Sequence, residues 1–190
     1  MCALRDSAHV LVKAISYIHI REENIVGKKI LSTLAAAVAA SFLFCGTASA
    51  GSLSMKTADT MADACLAMAV EKGWKMNIAV LDSGADLVVF KRMDGAFLGS
   101  VEVAMGKART SANFPFSTRM VAELAHGKDG APGPLPGIAN FPGIVTFAGG
   151  LPIMNAAGEH LGGIGVSCAS AGDDELCAQA GIDAVAEMLK

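Results

Sequence analysis

The chain has 190 residues, 53% of them hydrophobic and 17% charged, with a net charge of −3 at neutral pH. It carries no cluster of lysine and arginine of the kind that nucleic acid or anionic lipid requires, so those partners are excluded.

Lys28-Lys29 precedes an uncharged stretch from Ile30 to Cys45, and Ala48-Ser49-Ala50 then gives the small-x-small pattern that signal peptidase cuts after. The stretch is shorter than the roughly 20 apolar residues that span a bilayer. Residues 1–50 are therefore read as a leader cleaved after Ala50, with no membrane insertion once it is gone. Leu43-Phe44-Cys45 lacks the small residue expected before a lipid-modified cysteine. Arg21, Glu22 and Glu23 would make a long, partly acidic n-region, which points to translation starting near Val26 and residues 1–25 being a gene-model artefact. The expected location is periplasmic or secreted.

Residues 51–190 are then one domain of 140 residues, long enough to bury a core. They hold 10 Lys and Arg against 15 Asp and Glu, a net charge of −5. Export would place Cys65, Cys168 and Cys177 where disulfides form. The odd count leaves at least one thiol unpaired within the monomer, and spacing does not choose among the three pairings. Cys65 and Cys177 also fit apolar helical stripes, as small buried hydrophobes.

In chain order, Ala58, Met61, Ala62, Cys65 and Ala69 recur at helical spacing between Thr57 and Lys72, and Gly73 stands where a helix stops. Met76–Leu81 and Leu87–Phe90 are β-type runs around the turn formers Asp82 to Asp86, which predicts a hairpin. A helix is expected over Leu98–Asn113, ending before Pro115. A shorter one follows over Ser117–Ala125 with Ser117 as N-cap. The segment from Gly127 to Gly143 is rich in proline and glycine and reads as an irregular, ordered loop of the kind that often carries function.

Ile144–Phe147, Pro152–Met154 and Glu159–Ser167 read as strands. Alternation puts His160, Ile164, Val166 and Cys168 on one face. Asp173, Asp174 and Glu175 suit the positive end of a last helix, whose stripe is Cys177, Ala180, Gly181, Ala184 and Met188. The order α-β-β-α-α-β-β-β-α predicts an α+β domain with one mostly antiparallel sheet of about five strands and helices packed on it.

There is no Gly-x-Ser-x-Gly, His-Glu-x-x-His or Cys-x-x-Cys, so no hydrolase triad or zinc motif can be assembled. Gly162-Gly163-Ile164-Gly165 lies inside a strand and does not open a helix, which rejects a dinucleotide fingerprint. Its glycines allow close approach of a helix or ligand.

Three runs in order, Arg92-Met93-Asp94-Gly95-Ala96, Lys107-Ala108-Arg109-Thr110 and Gly162-Gly163-Ile164-Gly165-Val166-Ser167, resemble the GlcG/HbpS-like family over roughly Lys56 to Lys190. The resemblance implies a profilin-like fold, binding of haem or a related tetrapyrrole, and assembly as a homo-oligomer. It also sets one departure: the family commonly continues the last strand with another glycine where this chain has Cys168.

Haem needs an apolar slot, an iron ligand and cations for its propionates. Arg92, Met93 and Asp94 close the second strand, where a polar cluster can stand at a pocket rim; Asp94 alone reads equally as a turn or helix cap. Lys107 and Arg109 point different ways on their helix, and the family pattern places Lys107 and Thr110 near the ligand. His126, beside the Pro/Gly loop, and His160 are the candidate metal ligands. Each has an ordinary reading too, His126 as a favourable charge at a helix C-terminus and His160 as a residue facing solvent or a neighbour. Thr110 and Thr118 are oxygen-donor alternatives, because family members differ in their ligand. Phe114, Phe116 and Phe141 are candidate apolar walls. The expected function is haem capture, sequestration or sensing. The alternatives are an enzyme acting on haem or a small metabolite, and a non-catalytic accessory module for a membrane sensor.

Overall fold

The structure, a computed structural model, describes residues 52–190. The leader and cleavage-site expectations lie outside the described residues. Helix α1 (Met55–Lys72) is followed by β1 (Asn77–Asp82), β2 (Leu87–Arg92), α2 (Ser100–Asn113) and α3 (Thr118–His126). Strands β3 (Gly150–Met154) and β4 (His160–Ser167) and helix α4 (Ala171–Ala184) complete it, with short 3-10 turns at Pro136–Asn140 and Ala186–Leu189.

Local signals explain most of these ends. Ser54 caps α1, and Gly73 closes it in the left-handed region at φ 70°. Ser117 caps α3 by accepting the Met120 N–H at 3.1 Å. Asp82 Oδ1 accepts the N–H groups of Gly84 and Asp86, which folds the β1–β2 turn.

The sheet has four antiparallel strands in the order β2-β1-β4-β3. Helices α1 and α4 cover one face over a core that includes Met61, Met76, Ile78, Val80, Ile153, Ile164 and Val166. Helix α2 covers the other, where Ala104, Ala108 and Ala112 meet Ala79 and Leu81. It lies very close to β4: a Cβ on Gly165 would stand 2.2 Å from Ala104 O, and one on Gly163 would stand 2.4 Å from Ala108 O. The Gly-Gly-Ile-Gly run is thus a bed for a helix made of small residues.

Four expectations change. The fifth strand, Ile144–Phe147, is irregular, because the Val145 N–H goes to Thr110 Oγ1 at 3.0 Å and the Ile144 N–H goes to Phe141 O, leaving no ladder to join. His160 leaves the Ile164 and Val166 face: the β3–β4 register slips between Ile153 and Met154, Leu161 becomes the extra residue, and the His160 ring turns toward α2. Cys168 lies past the end of β4 at φ 128°, its Sγ accepting the Phe97 N–H at 3.2 Å. Met188 falls outside α4, on the terminal turn, and is exposed.

Cys65 and Cys177 form a disulfide joining α1 to α4 within the main core, with Cα atoms 4.7 Å apart. Cys168 is the free thiol among the described residues. Two outcomes follow from this packing. Gly165→Ala should cost about 1–3 kcal/mol or more in urea denaturation, as an overpacked contact with backbone does. Reduction of Cys65–Cys177 should lower stability by about 2–4 kcal/mol under the same assay, with Cys65→Ala/Cys177→Ala reproducing the loss.

Candidate functional site

Helix α2 presents small residues to the sheet at every turn except one, where Lys107 runs inward. Its side chain is fully buried. Nζ donates to Asp174 Oδ2 at 2.7 Å and to Val166 O at 2.9 Å, and lies 4.9 Å from the centre of the Phe147 ring. Gly149 makes the space, since a Cβ there would stand 2.6 Å from Nζ. The other carboxylate oxygen of Asp174 accepts the Ala169 N–H at 3.0 Å, so the pair ties α2, the end of β4 and the first turn of α4 together. Burial pushes the Lys107 ammonium below its ordinary pKa even though Asp174 pulls it back. Burial likewise raises the Asp174 carboxyl against the pull of Lys107. Both displacements say that desolvation outweighs the attraction.

One turn further along α2, Thr110 is also buried. Its hydroxyl donates to Gly106 O at 2.8 Å and accepts the Val145 N–H at 3.0 Å, which pins the proline- and glycine-rich loop onto the helix. Thr118, at the start of α3, is buried and accepts the Gly150 N–H at 2.9 Å. Lys107, Thr110 and Thr118 therefore gather around the segment from Gly143 to Gly150. They hold that segment with side-chain groups already engaged.

His126 ends α3 on the outside of the same loop. It is exposed, and its Nε2 lies 3.0 Å from Thr146 Oγ1. A shallow depression of about 300 Å³ beside it is lined by residues 126–132, with Lys128 and Asp129 as its charged groups. Phe141 and Leu135 project from the loop with 65% and 52% of their surfaces exposed. The Leu135 N–H bonds to Leu124 O, which fastens this part of the loop to α3.

The remaining candidates lie elsewhere. His160 is half-buried, with Nε2 2.8 Å from Ser111 O. Phe114 caps the end of α2. Arg92 and Asp94 are exposed at the β2–α2 connection, and Met93 turns inward, where its Sδ accepts the Met76 N–H at 3.3 Å. Phe97 and Leu98 stand exposed beside them. The structure thus separates the sequence candidates into a buried set under the loop, an exposed set around His126, and the Arg92–Asp94 corner. Among the described residues no group of three or more His, Cys, Asp or Glu could hold a bare metal ion.

Sequence reasoning missed Asp174 as a partner, having read it as an acid at a helix start, and missed Thr146. The buried pair makes a prediction. Asp174→Leu alone should cost about 3–5 kcal/mol in denaturant melts, because it strands the buried ammonium, whereas Lys107→Met/Asp174→Leu should recover most of that loss.

Comparison with known proteins supplies the rest. Residues 53–183 match a family described as haem degrading protein HbpS-like. The crystal structure of HbpS superposes with a TM-score of 0.64 at 31% identity, covering 73% of this chain and 93% of that one. The crystal structure of a PduOC:heme complex gives 0.63 at 26% identity, covering 70% and 95%. A 15.0 kDa protein of the dhaT-dhaS intergenic region of Citrobacter freundii is 29% identical over 136 residues, which are 72% of this chain and 94% of that protein. The match over residues 53–183, well over half of the chain, places it in the HbpS-like family.

Proposed function

We propose that this protein is an exported, oligomeric haem-binding protein that captures, sequesters or senses haem, with His126 as the iron ligand. The observation that carries the assignment of His126 is its exposure. Of the four candidate donors, Thr110 and Thr118 are buried with hydroxyls committed to the backbone, and His160 is half-buried against Ser111 O. His126 alone of the four is open to solvent, bonded to one neutral hydroxyl that a metal can displace.

The residues around it fit the group. Exposed Phe141 and Leu135 offer apolar surface to a macrocycle, and the Lys128 ammonium offers a counter-charge to a propionate once released from Glu123, which it meets at 3.0 Å. Bound haem supplies an iron centre for small-ligand or redox chemistry. The likeness to HbpS and to the PduOC:heme complex supports haem as the ligand. The Cys65–Cys177 disulfide supports an oxidising destination, in keeping with a cleaved leader and a periplasmic or secreted location. The family description, which speaks of haem degradation, favours a second reading as an enzyme acting on haem.

Hemin titration followed by the Soret band tests both. The expected result is a saturable one-site rise that is lost in His126→Ala and kept in His160→Ala, with a band that persists under reductant and dioxygen. Loss in His160→Ala alone would move the ligand, and no rise at all would overturn the proposal. Bleaching with release of an opened tetrapyrrole would favour the enzyme.

A further inference from the structure

The two ring nitrogens of His126 are not equally placed to meet a haem iron. Nδ1 sits beside the residue's own Cβ, so a flat macrocycle centred there runs into the side chain that holds it; Nε2, at the far tip of the ring, has no such neighbour. In this structure Nε2 is already engaged, 3.0 Å from Thr146 Oγ1. A hydrogen-bond partner and a metal use the same in-plane direction at a ring nitrogen. Whichever of the two groups supplies the hydrogen, this contact and an iron bond at Nε2 exclude each other.

Both ends of the contact are anchored. Thr146 lies between two tied residues: the Val145 N–H is held by Thr110 Oγ1 at 3.0 Å, and the Phe147 ring centre lies 4.9 Å from the Lys107 ammonium. Thr110 is bonded in turn to Gly106 O at 2.8 Å, so the hold on Thr146 reaches back to α2. On the other side, His126 is the last residue of α3. There the Gly127 N–H bonds to Glu123 O at 2.9 Å, and the chain folds back so closely that a Cβ on Gly127 would stand 1.8 Å from Ala131 O. Neither backbone is placed to swing aside, so the contact opens by rotation of the Thr146 side chain about χ1. Its three staggered positions turn the hydroxyl, the methyl or the Cβ hydrogen toward the ring.

We propose that Thr146 sets the haem affinity of the site: its hydroxyl closes Nε2 of His126 in the empty protein, and haem binds only by displacing it. The inference rests on His126 being the iron ligand, and it names the contact that holds this ligand back until haem arrives.

Hemin titration of the wild type, Thr146→Ala and Thr146→Ser, with His126→Ala beside them, tests it. Position 146 is half-buried on an irregular segment outside both core clusters, so the small replacements leave the fold in place. Thr146→Ala should bind hemin about 2- to 10-fold more tightly, the factor that one net hydrogen bond is worth. Thr146→Ser, which keeps the hydroxyl, should return to the wild-type value. Nitrogen-15 NMR of the histidine rings gives a second readout on the empty protein: the His126 Nε2 resonance should move in Thr146→Ala and stay in Thr146→Ser. Unchanged or weaker binding by Thr146→Ala, with the Soret rise still lost in His126→Ala, would overturn the closure and leave His126 as the ligand. An Nε2 resonance indifferent to Thr146→Ala would likewise overturn it, since the contact would then not be made. A rise that survives in His126→Ala would overturn both.

Discussion

The arrangement of the domain hangs on one buried contact, that of Lys107 with Asp174 and Val166 O. A fully buried ammonium needs every one of its protons answered, and here a carboxylate, a carbonyl and an aromatic face answer them. Each of these comes from a different element. The ion pair therefore fixes how α2, β4, α4 and the loop near Phe147 meet, even though desolvation of the two groups outweighs their attraction. Its value is specificity of placement: only one depth of α2 over the sheet satisfies Nζ, and the glycines at 163 and 165 permit that depth.

From that placement follows the availability of His126. With α2 seated, Thr110 holds Val145 and Thr118 holds Gly150, so the long loop is tied down at its return to the sheet. Its outer part, from Leu135 to Phe141, is left to present apolar side chains beside the end of α3. The buried threonines and the exposed histidine thus have complementary roles. One set builds the loop, and the other faces whatever the loop is built for.

Much of this was legible in the chain and some was not, for identifiable reasons. Helix α1, the Ser117 cap and the β1–β2 hairpin rest on local signals, namely helical spacing, a capping hydroxyl and Asp82 folding its own turn, and these survive in the structure. The false strand at Ile144–Phe147 had the right composition, but Thr110 takes its backbone N–H from 35 residues away. The Leu161 bulge that turns His160 leaves no mark in an alternation pattern. Neither the Cys65–Cys177 bridge nor the Lys107–Asp174 pair could be chosen from spacing, since their partners lie 112 and 67 residues apart. Lys107 and Thr110 stood out through the family resemblance, which marks position and not role.

The central claim is that a haem macrocycle lies against the loop around His126. The most direct test is a two-dimensional amide NMR spectrum recorded with gallium protoporphyrin, a diamagnetic stand-in whose ring current marks nearby backbone. The account predicts that the largest shifts fall on His126, Leu135, Phe141 and Thr146. Shifts confined to Arg92–Leu98 or to the β4–α4 connection, with the His126 region unmoved, would contradict it.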